Sequence, residues 1–421
     1  MQVTTNFKLK SIAPEQLFML SVLIVNGGNY LYNLLLGRLL GPSQFADAAV
    51  LITFLLVLSF VAMTFQLATA KFSVVLQSNV LQNFFSKVYK YATIIGISFG
   101  LLIIVFAKQL QLLFNTSTSS MFTIFGIGVP IYFLMSVNRG FYQGKKDYKS
   151  LSVTYQLEML SRLLITLGLI FVLNIQSSVV IAIGILLSFG FGLVPFKSKY
   201  FTFKKVEILD QKLSKQVIRF FVITAFYELT QIIINNSDIL LVKHYFDSYQ
   251  AGLYASLALI GRIVYFIAWM FVMLLLPEVV QLKKDGKSTA PILFKYIMYI
   301  AIIASVIIIA CALFPKLAIL MLFGDSYLAI APLLWKYALA TGLFAISNIF
   351  AYYYLSLDKY IPVILSAIFG ILQVVLIVIY HSNLQEVVYM QIITMVLLLI
   401  VQVTFFFTDQ EIKDKYQKQN L

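Results

Sequence analysis

Thr224, Glu228, Gln231, Asn235 and Asp238 stand within one hydrophobic run. Counted from Glu228 at about 100° per residue, they fall near −40°, 0°, −60°, −20° and −80°. Their side chains therefore share one narrow helical face. An ionised group near a bilayer centre costs about 2.5–3.5 kcal/mol on insertion scales. This face is expected to look into protein or a water-filled path rather than lipid. Buried carboxylates can be poised to exchange a cation, which makes Glu228 and Asp238 candidates for coupling to H⁺ or Na⁺. Gln231 and Asn235 join them as candidate cavity-lining groups.

A second stripe lies near the start of the chain. Asn26, Asn29 and Asn33 fall at about 0°, −60° and −20° on their own helix, and are further candidate cavity-lining residues. Arg38, Arg162, Arg262 and Lys336 are candidate cations for an anionic ligand. Glu158 and Arg162, four apart, meet on one helical face, so Glu158 also counts as cavity-lining. Arg262 has no acidic residue one turn away, so its partner is a carboxylate on another helix, Asp238 or Glu228, or the substrate itself. Lys336 and Lys243 have a second reading, snorkelling to the membrane interface or meeting lipid headgroups.

These residues need long apolar elements to hold them. The chain has 421 residues, 61% hydrophobic and 11% charged, which excludes a soluble domain of this size. Apolar runs of about 20 residues recur along its length, and the ten-residue alternation of a membrane barrel is absent. The spacing predicts twelve spans, near 15–37, 46–70, 88–107, 119–138, 151–173, 177–196, 217–242, 250–281, 291–313, 328–356, 361–380 and 385–407. Pro14, Pro291, Pro332 and Pro362 mark helix starts. The eighth span is long, so it is expected to tilt or project. Gly96 and Gly100 form a GxxxG for close helix packing.

The basic residues orient the spans. Of 31 Lys and Arg, 24 fall in the N-terminus, alternate connections and the tail or within a turn or so of the adjoining span ends, against Arg38, Lys108, Lys243 and Lys316 on the opposite side. Arg162, Arg262 and Lys336 lie within spans. By the positive-inside rule both termini are expected in the cytoplasm, with the first helix retained rather than cleaved. The net charge of +14 is then topological, and nucleic acid is not an expected partner.

An internal repeat divides the chain. Asn33-Leu-Leu-Leu-Gly-Arg38 matches Asp238-Ile-Leu-Leu-Val-Lys243. Leu113-Phe114 matches Leu322-Phe323, and Phe141-Tyr142 with Tyr148 matches Tyr353-Tyr354 with Tyr360. The expected organisation is a six-helix lobe at 1–196, a basic connector at 197–216, and a second lobe with a short tail at 217–421. The fold class is an all-α integral membrane protein, two pseudo-symmetric lobes around a central cavity.

The pattern Asn33 to Pro42 with Phe45 resembles the first-helix signature of bacterial polysaccharide and O-antigen flippases. Asp238 with Ala251-Gly-Leu-Tyr254, and Leu322-Phe-Gly324 with Tyr327, resemble the same family. It belongs to the superfamily that also holds multidrug and toxin extrusion transporters and lipid II flippases. Asp47 departs from the pattern, standing where the analogous residue of the repeat is Gly252.

The resemblance implies a non-enzyme that moves an oligosaccharide on an undecaprenyl pyrophosphate carrier across the bacterial cytoplasmic membrane by alternating access. Implied partners are that lipid-linked oligosaccharide, membrane lipids, and polysaccharide polymerase or assembly proteins. The alternatives are a multidrug or other cation-coupled antiporter, then a membrane glycosyltransferase or polymerase. The chain has no P-loop and no external loop large enough for catalysis, so no cofactor is expected. One cysteine and two histidines without ligand spacing argue against a disulfide or a metal site.

Overall fold

The computed structural model describes residues 14–76, 78–173, 177–197, 211–357 and 359–419. Most of the expected connector (198–210), with Lys8 and Lys10, lies outside the described residues. Helix α1 (Pro14–Val75) bends once, where Gly41 takes φ 72° and Pro42 follows. Pro42 disfavours helical backbone before it and cannot donate to the preceding turn. Gly41 accepts the left-handed conformation that a Cβ would resist. Two arms result, 14–40 and 42–75, matching the first two predicted spans.

The rest of the first half is α2 (Ser78–Val105), short α3 (Ala107–Leu113), α4 (Ser120–Gly144), α5 (Tyr148–Leu173) and α6 (Ser178–Gly192). The second half is α7 (Gln211–Tyr245), α8 (Ser248–Gly261), α9 (Ile263–Lys284), α10 (Ala290–Leu313) and short α11 (Pro315–Leu322). A 3-10 segment (Asp325–Leu333), α12 (Leu334–Ser356), α13 (Ile361–Ile379) and α14 (Leu384–Gln419) complete it. Each predicted span falls on a helix. Among the described residues nine helices are long and apolar enough to cross a membrane. The second arm of α1, fifteen-residue α6 and the α8–α9 pair make twelve compatible with that number.

The repeat is visible in packing as well as order. α2 packs on α4 as α10 packs on α12; α4 and α5 pack on α6 as α12 and α13 pack on α14. The short helices α3 and α11 correspond, ending against Phe114 and Phe323. In the GxxxG of α2, a Cβ on Gly100 would sit 2.5 Å from the Gly126 carbonyl oxygen, so α2 and α4 touch backbone to backbone.

Several helices depart from the expected bounds; α2 begins at Ser78, ten residues early, and α4 continues to Gly144. α7 begins at Gln211, inside the expected connector, and α14 continues to Gln419. The eighth span is divided at Arg262 into α8 and α9. The Thr341 hydroxyl donates to the Gly261 carbonyl oxygen across that break (2.7 Å), and such side-chain insertion is a recognised cause of helix kinks.

α1 is the principal bridge between halves, packing on α4 and α5 on one side and on α7 and α8 on the other. The largest apolar cluster accordingly crosses the seam, joining Leu36, Phe45 and Phe65 to Tyr254, Leu257 and Tyr337. Outward faces of α2, α10 and α13 expose Ile94, Leu101, Val306, Ile309, Ile368 and Ile371, an apolar surface suited to lipid.

Candidate substrate site

Helix α7 carries its polar stripe into the second half, and the break at Arg262 aims a guanidinium back at it. Arg262 Nη2 lies 2.9 Å from Asp238 Oδ1, and Nη1 donates to Asn236 Oδ1 at 3.3 Å. The other carboxylate oxygen accepts from Tyr254 (3.0 Å), Tyr337 (2.7 Å) and Gln391 Nε2 (2.9 Å). Asp238 is 1% exposed. Its charge is thus neutralised and both oxygens are committed, the condition under which a buried ion pair is tolerated. A narrow cleft beside it is lined by Asn235, Asp238, Arg262, Tyr337, Gln373 and Gln391. It has room for about one water.

Ten residues earlier on α7, roughly 15 Å along the helix, stands Glu228. It is half-buried and has no hydrogen bond or ion pair among the described residues. Two phenols lie near it, Tyr227 and Tyr265 on α9, and Tyr352 of α12 packs edge to face on Tyr227. Gln231 is 7% exposed. Its Oε1 accepts from Tyr265 (3.4 Å) while its Nε2 has no partner. Asn235 donates to the Gln231 carbonyl oxygen at 2.8 Å.

The first half holds a different cluster. Glu158 on α5 accepts from Arg162 one turn on and from Arg139 of α4, Nη2 to Oε2 at 2.8 Å. Arg139 also donates to Thr154 Oγ1 (3.1 Å) and to the Thr154 carbonyl oxygen (2.9 Å), with its guanidinium 4.0 Å from the Tyr155 ring centre. All three side chains are largely buried. Two guanidinium groups against one carboxylate leave a formal charge of +1, because arginine does not deprotonate in proteins.

The halves are tied together at the lysine-poor end. Lys243, 1% exposed, forms an ion pair with Asp47 at 3.0 Å and donates to Ser248 Oγ (2.7 Å) and the Asn115 carbonyl oxygen (3.1 Å). Asp47 Oδ2 accepts from the Ser117 amide (2.9 Å) and hydroxyl (2.7 Å). The Tyr327 hydroxyl donates to the Gly37 carbonyl oxygen at 2.7 Å. At Gly252 a Cβ would lie 1.8 Å from the Pro42 carbonyl oxygen, so α8 meets the bend of α1 with no room for a side chain. Asp47, odd in sequence beside Gly252, is one side of a buried cross-seam pair.

The structure distributes the sequence-derived residues as follows. Asp238 and Arg262 meet, and Glu158 meets Arg162. Gln231 and Asn235 lie beside the Asp238 and Glu228 groups. Arg38 is exposed at the seam, donating to the Met321 carbonyl oxygen at 3.1 Å. Lys336 stands apart from both charged clusters, against Tyr389 of α14 (Nζ to hydroxyl 2.8 Å). Asn26 is exposed, Asn29 holds a buried Oδ1 without a partner, and Asn33 donates to the Asn29 carbonyl oxygen. Lys243 is in the ion pair rather than at a lipid headgroup. Sequence reasoning missed Arg139, Tyr254, Tyr337 and Gln391. Arg139 falls one residue past the predicted span end at 138, but α4 continues to Gly144. Gln391 gave a usable signal, an amide inside an apolar run.

Comparison with known proteins agrees with this architecture. The sequence profile of the family described as polysaccharide biosynthesis protein matches residues 35–332. No curated protein matches the chain. Among solved structures, an inward-facing multidrug resistance MATE family transporter of the MOP superfamily aligns at 13% identity and TM-score 0.75, covering 90% of this chain and 95% of its own. The lipid II flippase MurJ, inward closed, aligns at 15% identity and TM-score 0.73, covering 93% and 87%. An outward-facing MATE transporter aligns at 14% identity and TM-score 0.59, covering 95% and 96%. The chain therefore has the fold of these multi-pass membrane transporters, and it belongs to the polysaccharide biosynthesis protein family.

Proposed function

We propose that this transporter flips a lipid-linked oligosaccharide, carried on undecaprenyl pyrophosphate, across the bacterial cytoplasmic membrane by alternating access. The observation that carries the reading is the opposed charge of the two halves within a fold of this family. The first half holds a buried formal +1 at Arg139, Glu158 and Arg162; the second presents a half-buried stripe of carboxylate, amide and phenol groups. A pyrophosphate needs a positive field in a low-dielectric interior, and a saccharide needs hydrogen-bonding partners. The lipid tail stays in the bilayer while the head crosses between halves.

In this proposal the lysine-poor end faces outward and is closed by the Asp47–Lys243 seam, with both termini in the cytoplasm. Asn26, Asn29 and Asn33 line the path from the first half. Glu228 is the coupling candidate for H⁺ or Na⁺, since Asp238 is held by Arg262 and three further donors. No other cofactor is invoked, and polymerase or assembly proteins receive the product. The same geometry disfavours a cationic-drug antiporter, because Arg262 cancels Asp238. The test is flipping of lipid-linked oligosaccharide in proteoliposomes under imposed H⁺ and Na⁺ gradients. Gradient-driven flipping lost in Glu228→Gln is expected. Flipping that ignores both gradients and survives Glu228→Gln and Asp238→Asn would remove the coupling role.

A further inference from the structure

We infer that the group around Glu228 is a saccharide subsite, binding pyranose hydroxyls through Glu228 and Gln231 and the ring's C–H face through the neighbouring tyrosines. This rests on the lipid-linked oligosaccharide reading and adds to it where the sugar sits.

Three independent features point there. Gln231 is more than nine-tenths buried, its Oε1 is taken by Tyr265, and its Nε2 donor is left without a partner. An unsatisfied buried amide costs about 1–3 kcal/mol unless something fills the position, so an acceptor belongs to this place when it is occupied. Glu228, one turn earlier on the same face, is an acceptor without a donor among the described residues. One free donor beside one free acceptor suits a hydroxyl pair, which offers both.

The third feature is the aromatic wall. Tyr227 and Tyr352 meet edge to face with centroids 5.4 Å apart, and Tyr265 is stacked on Phe344 at 5.4 Å and 19°. Phe344 is buried at 3% exposure, so Tyr265, itself only partly buried, is held from behind. A phenol face fixed in this way can receive the weakly positive C–H face of a pyranose, and its hydroxyl can join the hydrogen-bond set.

Other ligands fit less well. A metal ion needs several anionic or carbonyl ligands, and among the described residues no group of three or more His, Cys, Asp or Glu side chains comes together. An organic cation would satisfy Glu228 and the phenol faces. It has no acceptor for Gln231 Nε2, and it would approach Arg262, which lies near Tyr265. A hexuronic acid would bring its carboxylate against Glu228. The subsite therefore favours neutral or N-acetylated hexoses.

The test uses the full-length protein in nanodiscs, with methyl glycosides of glucose, galactose, N-acetylglucosamine and glucuronic acid, and tetraphenylphosphonium as the cationic probe. Binding is read by saturation-transfer NMR, with melting temperature as the check on folding. Saturable binding of a neutral glycoside is expected, weakened about ten-fold by Glu228→Gln, the loss of one charge-assisted hydrogen bond. Tyr265→Ala should weaken it at least as much, with Tyr265→Phe between. Methyl glucuronide should bind Glu228→Gln better than the unchanged protein. Neutral glycosides that fail to bind, or that bind all three variants alike, overturn the subsite. So does Glu228-dependent binding of tetraphenylphosphonium alone. If the subsite fails while depletion of the protein still accumulates lipid-linked oligosaccharide, the flippase reading stands without it. If depletion leaves that pool unchanged, the flippase reading itself fails.

Discussion

In the first half, Arg139 and Arg162 share one carboxylate, and the buried cluster carries a formal +1. In the second, Arg262 neutralises Asp238, and Glu228 stands without a partner among the described residues, leaving a formal −1 when it is ionised. The halves correspond in helix order and packing, yet α13, the counterpart of α5, carries Gln373 and Ser366 and no charge, and the second half holds its charges on α7 and at the α8–α9 break instead. The repeat has kept the scaffold and let the chemistry diverge. Two like halves with unlike charge suit a cargo with unlike ends, an anionic carrier head and a hydroxylated glycan.

The sharpest way to break this comparison is to remove the shared carboxylate. Glu158→Ala leaves two buried guanidinium groups without a counter-charge and should lower stability by about 3–5 kcal/mol, read as a fall in melting temperature and folded yield. Glu158→Ala with Arg139→Met should recover part of the loss. Next is Asp238→Asn, which leaves Arg262 uncompensated but keeps an acceptor for Tyr254 and Tyr337. A loss of about 3 kcal/mol is expected, and the double variant with Arg262→Met should lose less than Asp238→Asn alone. Equal losses in single and double variants would mean that these ions are not coupled.

The seam gives a smaller effect on stability and a larger one on access. Lys243→Ala should cost about 1–3 kcal/mol, and raise labelling of Ser248→Cys by an impermeant thiol reagent in a Cys311→Ala background. Exchanging the charges, Asp47→Lys with Lys243→Asp, should bring labelling part-way back. The smallest effect belongs to Glu228→Gln, which removes no contact seen here and should change stability by less than about 0.5 kcal/mol while abolishing coupled transport. A large stability loss there would show that Glu228 is a structural residue.

Part of this was legible in the sequence because lipid makes polar residues conspicuous. The α7 stripe, the Glu158–Arg162 spacing and the need of Arg262 for a distant carboxylate all follow from the cost of charge in hydrocarbon. The repeat gave the order of helices. Pairings between distant segments were not legible. Asp47 and Lys243 are 196 positions apart, and nothing local in either residue announces the other. Arg139 was hidden by a helix boundary: six residues of extra helix turn a loop cation into a buried ion-pair partner. The break at Arg262 was hidden too, since the Thr341 hydroxyl that meets it comes from another helix.

The central claim is tested most directly by depleting the protein in its own cell and measuring lipid-linked oligosaccharide by mass spectrometry, with its leaflet read by protection from an impermeant glycosidase. The account predicts that undecaprenyl-pyrophosphate-linked oligosaccharide accumulates and stays protected, and that re-expression releases it. An unchanged lipid-linked pool alongside new sensitivity to cationic drugs would contradict the account.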